Sequence, residues 1–478
     1  MDASALTIDR QDAAPLYWQI YERFRDAFRS GSLRPGDHVP SSRSLASELG
    51  VARGTVEEAY ALLSAEGYLM RDGRRGSIIS TQLSNLPILA PDKDKVTDEA
   101  KKETRTARPG RWDNRPRKPS PFQLGLPALD VFPRKLWSRL TARQARMVGE
   151  SDMTYPDMCG YWPLRDAIAQ YLALSRGIHC APDNIIITGG YQGALDLAIH
   201  TILNPGDKVW LEDPGYFRAQ LAIQNSTAQA VPIGVDTDGL RVQDGVDLAP
   251  DARLAIVTPS HHSPTCVAMS LPRRMALLSW ASENDSWIIE DDYDGEFHYS
   301  GKKLPALKSL DAQGRVLYAG SFSKTLYPSL RLGYLVAPDE VLDRLEQAVQ
   351  FHAAGVATLQ QAVTAQFMIE GHFTRHLKRM RTLYARRRTV LAAALSKTFP
   401  DMLDIHLEGG GMNIIAGLPG HLSDVELVAR AAKHGVAIQA LSENALVDRG
   451  HNALVFGFTN TPEEDAEALC LKLKKQLA

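Results

Sequence analysis

Five short apolar segments, at 184–188, 208–212, 254–258, 287–291 and 315–319, are each followed by polar or glycine residues, with helical stretches between them. Short apolar runs of this kind suit strands buried on both faces, as in a mostly parallel α/β sheet flanked by helices. Such sheets bind ligands outside the carboxyl ends of their strands. The residues that follow the five segments are therefore expected to converge on one site.

Each of these segments carries polar chemistry. After the first, Gly189-Gly190-Tyr191-Gln192 opens a helix expected over 193–203; its bare amides suit a phosphate, and glycines also serve plain turn geometry. After the second comes Tyr216, which either stacks on a flat ring or packs in the core. After the third, His261 and His262 are adjacent, but without HxxxH spacing or a nearby cysteine no metal site is expected. The fourth ends in Asp291-Asp-Tyr-Asp; side chains alternate along a strand, so Asp291 and Tyr293 share a face and Asp292 points away. The fifth runs into Ser321, Ser323, Lys324 and Arg331. A lysine at the mouth of a buried strand can shed its proton and condense with an aldehyde cofactor. The two serines and the arginine suit a phosphate held beside it. In isolation the aspartate-rich run reads as a solvated loop. Beside Lys324, Asp291 can hold a pyridinium nitrogen protonated while Tyr293 reaches a ring oxygen.

A length of 478 residues implies two to four domains. Residues 1–80 hold a different pattern. Leu16, Ile20, Phe24, Ala27 and Phe28 recur at helical spacing over 15–30, Ser41 and Ser42 cap a second helix stopped by Gly50, and a third starts near Ala52. A turn at Gly73-Arg-Arg-Gly76 then separates two short apolar runs. Helix–turn–helix followed by a hairpin describes a winged helix-turn-helix. Residues 101–118 carry eight basic residues against Glu103 and Asp113, although the whole chain has a net charge of −2. Together with its poverty in apolar residues this marks 81–120 as a basic linker, either a soluble tether or a tracker of DNA phosphates. The four cysteines form no CxxC pair, and no stretch is long and apolar enough for a membrane span or a leader. A cytoplasmic protein, free of the membrane, is expected.

Two resemblances sharpen this reading. Pro-Leu-Tyr-Trp-Gln-Ile-Tyr21, Gly-Ser-Leu-Arg-Pro-Gly-Asp37, Leu-Gly-Val-Ala-Arg-Gly-Thr-Val56 and Ala-Glu-Gly-Tyr-Leu69 resemble the GntR-type winged helix. That resemblance implies contacts to double-stranded operator DNA from Arg43 and Arg53 (phosphate or guanine), Thr55 (phosphate) and Gly76 (wing tip). From about 121 to 478 the chain resembles fold-type I aminotransferases that bind pyridoxal 5′-phosphate, through Leu124-Gly-Leu-Pro, Gly160-Tyr-Trp-Pro-Leu-Arg165 and Ser323-Lys-Thr-Leu-Tyr-Pro-Ser-Leu-Arg331. The whole resembles the MocR family of regulators. The implied fold is a mostly parallel sheet flanked by helices, with a smaller C-terminal α+β subdomain. The implied roles are an internal aldimine at Lys324, Asp291 on the pyridine nitrogen, Tyr293 on the ring oxygen and Tyr216 stacked on the ring. Gly190, Tyr191, Gln192, Ser321, Ser323 and Arg331 would hold the phosphate. Tyr155 would reach the cofactor of the other subunit in a homodimer.

The chain departs from that pattern at two places. Ser263-Pro-Thr-Cys266 stands where aminotransferases carry Asn-Pro-Thr-Gly, and Val455 where they keep an arginine for the substrate carboxylate. If the effector is an amino acid, Arg218, and after it Arg449, is the candidate for its acid group. The expectation is a regulator that senses an amine or amino acid, or the cofactor itself, with an active aminotransferase carrying a DNA-binding head as the alternative.

Overall fold

The computed structural model describes residues 8–10, 14–71, 76–81, 118–301, 305–352 and 355–477. It divides into two compact units, Met1–Pro116 and Arg117–Ala478. Most of the expected linker 81–120 lies outside the described residues, as do Gly73, Arg74 and Arg75 of the expected wing.

In the first unit, helices α1 (Leu16–Arg29), α2 (Ser42–Leu49) and α3 (Arg53–Ala65) enclose Ile20, Phe24, Leu45, Val56, Ala59 and Leu63. Ser41 caps α2 by accepting the Ser44 N–H at 3.1 Å. Gly50 ends it in the left-handed region at φ 61°. Three short strands, β1 (His38–Val39), β2 (Leu69–Arg71) and β3 (Ser77–Ile79), pair antiparallel in the order β1-β3-β2. The helices and the hairpin match the sequence expectation. Strand β1 does not appear in it, because two residues generate no period to read.

The second unit is built on an eight-stranded sheet. Its strands are β4 (Ile185–Thr188), β5 (Lys208–Asp213), β6 (Gln229–Asp236), β7 (Gly239–Leu240), β8 (Leu254–Val257), β9 (Trp287–Asp292), β10 (Val316–Ser321) and β11 (Gly333–Val336). They lie in the order β4-β11-β10-β9-β8-β5-β6-β7. The five expected strands are β4, β5, β8, β9 and β10. Strands β5, β8, β9 and β10 are parallel neighbours. The additional strand β11 runs antiparallel to both β10 and β4, so β4 points the same way as the other four. All five carboxyl ends therefore open on one edge, as a shared site requires.

A smaller antiparallel sheet follows, ordered β12-β13-β15-β14 from strands β12 (Asp404–His406), β13 (Asn413–Gly417), β14 (Gln439–Ala440) and β15 (Ala453–Gly457). The helices that matter below are α4 (Arg134–Met147), α5 (Tyr191–Ile202), α6 (Phe217–Gln224) and the long α7 (His372–Thr398). Among the described residues no helix is long and apolar enough to cross a membrane.

Candidate functional site

Strand β10 delivers its chain into a turn that carries Lys324. The side chain is half-buried but its amine is enclosed, and Nζ donates to the Gly125 carbonyl at 2.8 Å. Gly125 has φ +72°, and a Cβ there would sit 2.3 Å from Nζ, so only glycine lets the lysine approach. Desolvation lowers the Lys324 pKa; Asp294 and Asp291 oppose that shift and the Arg218 cation adds to it. A lysine whose neutral form is favoured is a nucleophile in waiting.

Asp291 sits opposite Ala319 in the β9–β10 register. It is buried, and burial, with the charges of Asp292 and Glu212, raises its pKa well above the carboxylate range. Its Oδ1 and the Tyr293 hydroxyl are buried without a hydrogen-bond partner among the described residues. Buried polar groups in native proteins are almost always paired, and these two unpaired atoms lie next to the lysine. Asp292 faces away, as alternation requires, to the Arg176 guanidinium at 2.8 Å and the Tyr318 hydroxyl at 2.7 Å.

The remaining expected groups flank this centre. Gly190 adopts φ +88° as N-cap of α5, which begins with Tyr191 and Gln192, two residues earlier than expected. A Cβ on Gly190 would lie 3.8 Å from the Arg331 guanidinium, and one on Gly333 would lie 2.9 Å from the Gly190 backbone. The lysine turn and the glycine turn are thus packed back to back. Ser321 Oγ accepts the Ser323 N–H at 3.1 Å. Tyr216 and Tyr191 have ring centroids 6.0 Å apart, and burial first, then the Asp291 charge, pushes the Tyr216 hydroxyl up to about 12. Arg218 donates to Gln192 at 3.2 Å. Tyr155 is 99% exposed and stands clear of the pocket of its own chain.

Several contacts around the pocket have no sequence signal. His261 Nδ1 lies 2.9 Å from Asp294, whose charge in turn acts on Lys324. His262 instead bonds Thr265 at 2.6 Å, and among the described residues no three His, Cys, Asp or Glu side chains gather as a metal set. Asp213, at the end of β5, accepts the backbone N–H groups of Leu446 and Val447 and the Arg449 side chain at 3.3 Å. Arg449, the second candidate for an acid group, is therefore engaged by a buried carboxylate. The Asn444 carbonyl accepts from Gly215 N–H and the Gln220 amide at 2.9 and 3.0 Å, tying the Tyr216 loop to the C-terminal segment.

Both departures have structural weight. Cys266 occupies φ +65°, a region where glycine is unstrained and a side chain is not. Val455 is fully buried in β15, paired with Ile415 and Gln439, and offers no charge to a carboxylate.

In the first unit, Arg43 and Arg53 are exposed and Thr55 half-buried. Arg53 Nε donates to Glu57 at 2.8 Å one turn on, which orients it along α3. The N-cap of α3, Ala52, makes no side-chain cap; its carbonyl accepts the Thr55 N–H at 3.0 Å. Gly76 has φ +103° and open space about its Cα.

Comparison with known proteins agrees with both units. Residues 138–472 match the family "Aminotransferase class I and II", and residues 16–79 match "Bacterial regulatory proteins, gntR family". The probable rhizopine catabolism regulatory protein MocR of Rhizobium meliloti is 36% identical over 95% of this chain and 92% of its own. The pyridoxine biosynthesis transcriptional regulator PdxR of Corynebacterium glutamicum is 31% identical over 93% and 92%. The α-aminoadipate aminotransferase LysN of Thermus thermophilus, solved with N-(5′-phosphopyridoxyl)-L-leucine, is 30% identical with a TM-score of 0.68, covering 74% of this chain and 91% of that one. A winged head of the gntR type, an aminotransferase fold and relatives alike from end to end have one reading: the chain belongs to the MocR family of HTH-type transcriptional regulators.

Proposed function

We propose that this regulator holds pyridoxal 5′-phosphate at Lys324 and uses it to sense an amine or amino acid. The observation that carries the reading is the enclosed Lys324 amine beside two buried atoms without hydrogen-bond partners among the described residues, Asp291 Oδ1 and the Tyr293 hydroxyl. Those residues fit the cofactor. Asp291 would face its ring nitrogen, Tyr293 its ring oxygen and Tyr216 its ring face. Gly190, Tyr191, Gln192, Ser321, Ser323 and Arg331 would take the phosphate. When bound, the cofactor supplies an aldehyde carbon that exchanges one primary amine for another. Burial shifts the Lys324 amine toward its neutral form, and Arg218 offers a cation for an effector carboxylate. An effector shifts the regulator only by its differential affinity for two forms. Two chains pairing as a homodimer would present two heads to two half-sites and bring Tyr155 to the partner's pocket.

With Val455 at the carboxylate position of β15, we infer a regulator rather than an efficient transaminase; sustained formation of keto product by purified protein would overturn that. Sensing of the cofactor itself is the second reading, favoured by the likeness to PdxR. It predicts that operator affinity changes on adding cofactor alone.

The test is spectral. Lys324→Ala removes the absorbance near ~420 nm expected of lysine-bound pyridoxal while the fold persists. An unchanged spectrum, or borohydride reduction that leaves residue 324 unmodified, refutes the assignment. Arg218→Ala should blunt the spectral response to amino acids and spare the response to amines without a carboxylate. In the head, Arg53→Ala should weaken operator binding by ~1–3 kcal/mol if it contacts a base.

A further inference from the structure

Helix α7 spans 27 residues with eight arginines and lysines and no acid, and α4 spans 14 with five basic residues and no acid. Some of these cations are committed. Arg143 of α4 binds Glu370, Arg387 binds Asp130, Arg388 lies over the Tyr299 ring, and Arg386 reaches Glu463 at 3.3 Å. Lys378, Arg379 and Arg381 differ. They are exposed, and no carboxylate among the described residues pairs with them. Like charges at three- and four-residue spacing oppose helix formation, so a face of this kind is kept against the helix's own preference.

The face is also shaped. Arg375, Lys378, Arg379 and Arg386 rim a groove of about 510 Å³ floored by Val131 and Leu383. That volume suits a sugar-phosphate unit rather than a single ion. The other end of this chain is a gntR-type head, so duplex DNA is the polyanion this regulator already meets.

We propose that this basic face holds the phosphate backbone of double-stranded DNA, making the aminotransferase-like unit a second DNA-contacting surface. It recognises charge, not sequence, and does not depend on the cofactor assignment. Each phosphate neutralised adds close to one unit to the slope of log affinity against log salt.

The test uses the full-length protein and a duplex of arbitrary sequence, roughly 40 base pairs long, titrated across salt. The combined variant Lys378→Gln and Arg379→Gln should bind at least ~5-fold more weakly at low salt and flatten the slope by ~2. Its melting temperature and cofactor spectrum should match the parent, since these side chains are exposed. Slope and affinity equal to the parent's would overturn the proposal. So would a variant that keeps its duplex binding but loses binding to polyglutamate, which would make the face a site for an acidic protein. The loss is read on arbitrary duplex without added effector, and the spectral response to amines is read separately, which separates failure of this proposal from failure of the sensing reading.

Discussion

Asp291 and Asp292 are neighbours on one strand and live by different rules. Asp292 is answered from within, by Arg176 and the Tyr318 hydroxyl, in a layer that also holds Glu296 at 3.5 Å from Arg176. Each keeps an Oδ1 without a hydrogen-bond partner among the described residues, but Asp292 touches a guanidinium, whereas Asp291 lies beside an unpartnered tyrosine and a lysine whose pKa burial lowers. One residue of β-strand rotation separates a carboxylate serving the scaffold from one left for a ligand. The difference teaches where to look for function in a core: not at burial, but at burial without internal compensation.

The comparison can be broken in three ways. Removing the internal partner should cost most: Arg176→Ala strands Asp292 and is expected to lower stability by ~3–5 kcal/mol in denaturant titration. A loss under ~1 kcal/mol would mean that Asp292 never needed its cation.

Glu212, on the wall of the same pocket, gives a pH test of intermediate size. Burial, against the opposing bonds from Thr258, pushes its pKa up to about 7. A raised carboxyl contributes stability that is complete below the ordinary 4.5 and is lost as pH rises through about 7. His262, with Nε2 at 3.7 Å, is pushed down to about 3 by burial, so its contribution is present above the ordinary 6.5 and lost as pH falls. The two oppose each other. Glu212→Gln should therefore make stability climb with pH, relative to the parent, by about 2–3 kcal/mol between pH ~4.5 and ~7. Parallel pH profiles for parent and variant would show that Glu212 is already ionised.

Asp291→Asn should have the smallest effect on the cofactor-free fold. Relieving an uncompensated carboxylate is expected to leave stability equal or up to ~1–2 kcal/mol higher, while cofactor retention on dialysis falls. A destabilisation to match that of Arg176→Ala would erase the distinction between the two aspartates.

The strands that point at the site were legible because buried parallel strands are short, apolar and ended by polar residues. The Asp291/Asp292 split followed from the period of two. Strand β11 escaped notice although Gly333–Val336 is as apolar as its neighbours, since only the 3-10 turn Pro328–Leu330, and no α-helix, separates it from the lysine turn. Its antiparallel entry, and the brief β1, β7 and β14, are decided by pairing partners rather than by their own residues. The Arg176–Asp292 and His261–Asp294 contacts join distant stretches, and no local pattern announces them. The strand pattern gave convergence, residue chemistry gave first roles to Lys324, Asp291, Tyr293 and Arg331, and resemblance completed the set with Tyr155.

The stitching of Asp213 and the Tyr216 loop to residues 444–449 has a mechanical outcome. The aromatic lid over the pocket floor and the outermost antiparallel layer are hung from the same peg. A guest that tilts that lid must pull on the layer or snap a fully enclosed carboxylate from its three donors. Chemistry at the centre is thereby geared to the periphery through the backbone itself.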